Sequence, residues 1–93
     1  MTNFNLIGYC ITEPKATNLD DTDYYEFEVE GVRYNEQKNP YRFKVYMATS
    51  QYETDMLYSL VFIQGRLREY SGEIDLIANK VSVITRNSVE EKD

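Results

Sequence analysis

Between residues 41 and 68 the chain changes its apolar period twice, and that switch limits the fold more than any other feature. In Tyr41-Arg42-Phe43-Lys44-Val45-Tyr46-Met47, Phe43, Val45 and Met47 alternate with Arg42, Lys44 and Tyr46, the period of a half-buried strand. Alternation returns at Val61, Ile63, Gly65 and Leu67, with Arg66 and Arg68 on the outer face. Between the two stretches Tyr52, Met56 and Leu60 recur every four residues with Leu57 beside them. Ser50-Gln51-Tyr52-Glu53 has the form of a capping box, so the spacing predicts a short amphipathic helix over residues 50–60. Three helical turns are not stable alone in water, so this helix has to lie against the sheet its neighbours form.

The other segments add strands and no second helix. Residues 4–11 are apolar on both alternating sets, Phe4, Leu6 and Cys10 against Ile7, Tyr9 and Ile11, so both faces require cover. Gly8 in the middle marks a bend from one sheet to another, and Pro14 ends the strand. Residues 16–23 read as a polar loop whose Asp20, Asp21 and Asp23 are solvated surface rather than a cation site. Over residues 24–32, Tyr25, Phe27 and Val29 alternate with Glu26, Glu28 and Glu30 in a half-exposed strand. Residues 33–40 have the character of an exposed hairpin loop, and Ser71-Gly72 that of a tight turn. Ile74, Leu76 and Ala78 alternate with Glu73, Asp75 and Ile77 until Asn79-Lys80 breaks the pattern, and Val81 and Val83 resume it, which predicts a bulge. Five strands, one helix between the third and fourth, and glycine corners in strands one and four describe an all-β Greek-key barrel of five strands, the OB-fold. Its expected core is Leu6, Phe27, Val29, Phe43, Val45, Met56, Leu60, Ile63, Leu67, Ile74, Leu76, Val81 and Val83.

Ninety-three residues make one domain, assigned to 1–86, with a short polar tail over 87–93. The single cysteine cannot form an internal disulfide and reads as a small buried hydrophobe. No apolar run approaches 18 residues and no leader-like segment opens the chain, so a cytoplasmic protein with no membrane partner is expected. The absence of histidine, of a glycine-rich phosphate loop and of a zinc ligand set argues against an enzyme, and no cofactor or metal is expected.

The order of these motifs resembles the bacterial and phage single-stranded-DNA-binding protein family over about residues 2–84. Asn5-Leu6-Ile7-Gly8-Tyr9-Cys10-Ile11-Thr12-Glu13-Pro14 is similar to the family's opening strand, which ends in an acidic residue followed by proline. Tyr41-Arg42-Phe43-Lys44-Val45 stands where the family has an aromatic opening to strand three, and Val61-Phe62-Ile63-Gln64-Gly65-Arg66-Leu67 resembles its fourth strand. The resemblance implies non-catalytic binding of single-stranded DNA with little sequence preference, in replication, recombination or repair, by a dimer or tetramer. The chain departs from the family in having no tryptophan, which leaves Tyr41 to stack bases at its matching position. It also departs in its last residues, Val89-Glu90-Glu91-Lys92-Asp93, too short to serve as the family's acidic partner-recruiting tail.

Non-specific single-strand binding needs ring faces for bases and cations for phosphates on one surface. The candidates are Tyr9, Arg33, Tyr34, Tyr41, Arg42, Lys44, Tyr46, Arg66, Arg68 and Tyr70, with Tyr25, Tyr52 and Tyr58 assigned to packing. Outward arginines and tyrosines are also ordinary strand surface. The net charge of -6 and the row Glu26, Glu28 and Glu30 weigh against a polyanion if that row lines the same groove. A protein-binding barrel, or an acidic DNA mimic, is therefore the alternative. The doubly apolar first strand predicts self-association, since a barrel interior covers only one of its faces.

Overall fold

The structure, a computed structural model, describes residues 2–31, 41–70 and 72–85. Six strands follow in order: β1 (Asn3–Cys10), β2 (Lys15–Leu19), β3 (Thr22–Gly31), β4 (Arg42–Ala48), β5 (Leu60–Tyr70) and β6 (Glu73–Thr85). The hydrogen-bonded order is β1-β5-β6-β4-β3-β2, and β1 also pairs β3, so β1, β5, β6, β4 and β3 close into a five-stranded barrel. Every pairing is antiparallel except β4 with β6, which joins Val45, Met47 and the residue between them to Leu76, Ala78 and Ile77.

The polar loop expected over residues 16–23 is instead β2 and the start of β3. Pro14 interrupts the first strand without ending its course, because Cys10 pairs Val29 and Lys15 pairs Glu26 along the same edge of β3. In the gap the Ile11 N–H donates to the Glu28 carbonyl, and the Glu28 N–H donates to the Thr12 hydroxyl oxygen, both at 2.9 Å. A side-chain oxygen thus substitutes for the acceptor that the kinked backbone withdraws. Asp20 and Asp21, at φ 55° and 67°, make the left-handed two-residue turn between β2 and β3, a conformation aspartate tolerates better than most residues.

Both expected glycine corners are close approaches. At Gly8, β1 has β5 on one edge and β3 on the other, and a Cβ there would run into the Glu30 carbonyl and lie 2.7 Å from Val29 Cγ1. Gly65 faces a bulge in β6: Gln64 pairs Lys80 and Gly65 pairs Ala78, leaving Asn79 as the extra residue at the place where the apolar pattern breaks. A Cβ at Gly65 would strike the Ile77 carbonyl.

Cys10, Phe27, Val29, Val45, Met47, Met56, Val61, Ile63, Ala78 and Val81 form one buried cluster, bordered by Phe4, Leu6, Tyr25, Tyr52, Leu76 and Val83. The inward faces expected for the strands at residues 41–47 and 61–67 hold. Four expected core residues do not join the cluster or its border: Phe43 is 37% exposed and Ile74 68%, and Leu60 and Leu67 lie outside it, Leu60 on the outer face of β5. The parallel pairing of β4 and β6 stops at Val45 and Leu76, so the side chains beyond it lie where the strands part, and no described residue closes over them. Leu60 and Leu67 are half-buried.

The helix expected over residues 50–60 is absent. One 3-10 turn, Thr49–Gln51, stands at its start, with no side-chain cap, and Asp55 and Tyr58 take positive φ of 64° and 66°, which no right-handed helix contains. The segment gives its backbone bonds to β1: Tyr58 N–H donates to the Cys10 carbonyl (2.6 Å) and Cys10 N–H to the Ser59 carbonyl (3.0 Å). Its apolar spacing serves the barrel in another way. Tyr52 stacks on Tyr25 at 4.4 Å between ring centroids, and Met56 is fully buried in the core. The plug exists, as an irregular loop.

Candidate nucleic-acid interface

Residues directly opposite in neighbouring strands share a face, so the register places each outward side chain. Between β3 and β4, Glu26 faces Tyr46, Glu28 faces Lys44 and Glu30 faces Arg42. On its other edge β3 meets Tyr9 of β1 at Glu30 and Lys15 of β2 at Glu26. Across β6, Tyr46 faces Ile77 and Ile77 faces Arg66, while Arg68 faces Asp75. The barrel therefore brings Tyr9, Arg42, Lys44, Tyr46, Arg66 and Arg68 onto its outer surface around β3, β4 and β6. The acidic row lies among them.

That mixture sets the electrostatics. Arg42 Nε stands 3.5 Å from Glu30 Oε2, Lys44 Nζ 3.7 Å from Glu26 Oε2, and an Arg68 guanidinium nitrogen 3.3 Å from Asp20 Oδ2 at the β2–β3 turn. Among the described residues, Arg66 and Lys15 are the cations of this surface with no carboxylate partner. Exposed pairs of this kind contribute about 0.2–1 kcal/mol each, so a competing phosphate can displace them. Burial pushes the Tyr46 hydroxyl above its ordinary pKa; Lys44 pulls against that, while Glu26, Asp75 and Glu73 add to it. The Tyr46 ring meets Tyr24 edge-on at 6.1 Å. Tyr24 and Ile77 are buried yet stand apart from the main core, so Tyr46 helps to cover a second, smaller apolar cluster outside the barrel.

Tyr41 is placed differently. It is 68% exposed and belongs to the alternating set of Phe43, on the opposite face of β4 from Arg42 and Lys44. With Phe43 and Ile74 it leaves apolar surface where β4 and β6 part, beside a shallow cleft of about 420 Å³ lined by Arg42, Lys44, Tyr46, Glu73 and Asp75. Arg33 and Tyr34 lie outside the described residues, as does the side chain of Tyr70, which ends β5 opposite Glu73. Lys15 is a surface cation absent from the expected set, because an extended strand ending at Pro14 leaves it outside the sheet. The signal for it was Asp20-Asp21, a turn pair set between two segments that can pair. Among the described residues no group of three His, Cys, Asp or Glu side chains is placed to hold a metal ion.

No protein-family model and no curated protein sequence matches the chain at a significant level. Solved structures do. The mitochondrial single-stranded DNA-binding protein Rim1 of Saccharomyces cerevisiae superimposes with a TM-score of 0.76 at 9% identity, covering 91% of this chain and 95% of its own. The chain's own fold is the OB-fold. The second such protein of Mycobacterium smegmatis, SSBb, matches with a TM-score of 0.65 at 21% identity, over 88% of this chain and 87% of its own. The N-terminal domain of PriB from Thermoanaerobacter tencongensis, solved as a dimer, matches at 0.68 and 21%, over 91% and 98%. At such identities the likeness establishes the OB barrel, and the site has to be argued from this chain's own residues.

Proposed function

We propose that this OB barrel binds single-stranded DNA without catalysis, cofactor or marked sequence preference. Its setting on this reading is replication, recombination or repair in the cytoplasm of a bacterium, or in a phage or mobile element. The observation that carries the reading is the outer surface on which Arg42, Lys44 and Tyr46 of β4 are continuous with Tyr9 on one side and Arg66 on the other. Rings there offer faces to unstacked bases, and cations offer charge to the phosphates between them. Duplex DNA, whose bases stack on one another, offers only its phosphates. Three structural neighbours described as single-stranded-DNA-binding proteins, Rim1, SSBb and the small protein of Streptomyces coelicolor, support the reading.

The protein also self-associates on this reading. On the outer faces of β1 and β5, Ile7 (46% exposed) stands opposite Phe62, with Ile84 (51% exposed) at the adjacent bulge of β6. A contiguous apolar patch of that kind marks an interface. A second functional reading, a barrel that binds protein instead of DNA, is favoured by the location of Glu26 and Glu30 on the basic surface itself. Titrating labelled oligo-dT and a matched duplex at low salt separates the two. Micromolar or tighter binding to oligo-dT with much weaker duplex binding is expected, and no binding to oligo-dT at low salt rejects the DNA reading in favour of the protein-binding barrel.

A further inference from the structure

Three of the described cations of the proposed DNA surface, Arg42, Lys44 and Arg68, are already occupied by carboxylates of the same chain. Glu26, Glu28 and Glu30 alternate along β3, and two strand residues span about 6.4–6.8 Å. The row runs directly opposite Arg42, Lys44 and Tyr46, and its two outer members hold Arg42 and Lys44 at 3.5 and 3.7 Å. Asp20 holds Arg68 at 3.3 Å from another element. Arg66 and Lys15 have no such partner among the described residues. A row of fixed negative charges on an extended backbone, set against the cations meant for phosphate, presents those cations with what a strand of DNA would present.

We propose that the β3 carboxylates act as a built-in competitor for phosphate, so that single-stranded DNA binds by exchanging its phosphates for Glu30 on Arg42 and Glu26 on Lys44. The proposal rests on the single-strand-binding reading and concerns how that same surface is regulated. Each phosphate neutralised on a single strand by a free cation contributes about -0.7 to the slope of log affinity against log salt. A cation taken from a carboxylate contributes less, because the freed carboxylate gathers counterions of its own. The slope of the natural protein is therefore shallow, set mainly by the unpaired Arg66 and Lys15, and stacking carries a larger share of the affinity. Glu26 and Glu30 in this view hold the affinity down and keep duplex DNA, which offers phosphates alone, from binding.

The test is the affinity for a labelled oligo-dT longer than the roughly 4–16 nucleotides one OB-fold covers, measured across a salt series. Three proteins are compared: the natural chain, E26Q/E30Q, and E53Q/E69Q, which raises net charge equally by removing two exposed carboxylates outside the row. Thermal melting of each checks the fold. Exchange predicts that E26Q/E30Q tightens binding by roughly 2- to 30-fold at low salt, the worth of two exposed ion pairs. It also predicts a slope steeper by about 1.4, two phosphate equivalents, with neither change in E53Q/E69Q. Binding by the natural chain with E26Q/E30Q unchanged, or with E53Q/E69Q changing as much, overturns the exchange and leaves the DNA reading standing. If none of the three binds at low salt, the DNA reading itself is rejected, and the exchange with it.

Discussion

Cys10 shows how the fold sets one residue's chemistry. Its side chain is fully buried at the end of β1, its thiol 3.1 Å from the Thr12 carbonyl. Burial, with the charge of Glu13 adding to it, pushes the thiol up from 9.0 to about 11. The neutral thiol is thus favoured in the fold over the unfolded chain. Stability is intact below pH 9, and declines as pH rises through the interval to 11, by about 2–3 kcal/mol from this group alone. Urea midpoints at pH 8 and 11, each compared with Cys10→Ala, isolate that contribution from the titration of the tyrosines: the gap between the two proteins should narrow at the higher pH. A second residue-scale contrast separates Phe27 from Phe43. Phe27 is 1% exposed in the centre of the core, so Phe27→Ala is expected to cost about 3–5 kcal/mol. Phe43→Ala, at 37% exposure, should cost about 1 kcal/mol. Equal losses in chemical denaturation would show that the end of β4 is covered in solution.

At the scale of elements the decisive devices are the corners. Gly65 sits where β5 meets the Asn79 bulge of β6, and a methyl group there would strike backbone, which cannot rotate aside as a side chain can. Gly65→Ala is expected to cost about 3 kcal/mol, the upper part of the range for overpacking, through displacement of β6 from β5. Gly72, by contrast, has open space around its Cβ position but a φ of 81°, so Gly72→Ala should cost about 1 kcal/mol from backbone strain alone. Thermal melts of the two variants side by side give the order. The loop at residues 52–59 teaches the complementary lesson. Its four-residue spacing of Tyr52 and Met56 was real information about burial, and the helix inferred from it was not. The barrel end asked for two side chains at those positions and for backbone bonds to β1, and tertiary contacts outweigh weak helical propensity in a segment with two tyrosines.

For the whole molecule, the apolar outer patch of Ile7, Phe62 and Ile84 predicts a dimer or higher assembly. Light scattering at micromolar concentration should return at least twice 11.0 kDa, and Ile7→Glu should lower that mass while the barrel stays folded. Alternation by itself determined which side of β3, β4, β5 and β6 faces inward, because side-chain direction in a strand depends only on local backbone geometry, and it left β1, apolar on both sets, undecided. Gly8, Gly65 and Asn79 likewise marked the bends, since close approaches and broken patterns leave local traces. Tertiary structure decided what depends on a neighbour's reach. Phe43 and Ile74 have the parity of core residues, yet the strand pairing that would cover them stops at Val45 and Leu76, before it reaches them. Tyr41 stands on the wrong side of β4 to join Arg42, and Lys15 joins the surface only because β2 resumes along β3 after Pro14. Above all, the sequence shows an acidic strand and a basic strand, and registry alone makes them one surface. Glu30 finds Arg42, and Glu26 finds Lys44, through a cross-strand distance of a few ångströms that no spacing along the chain encodes.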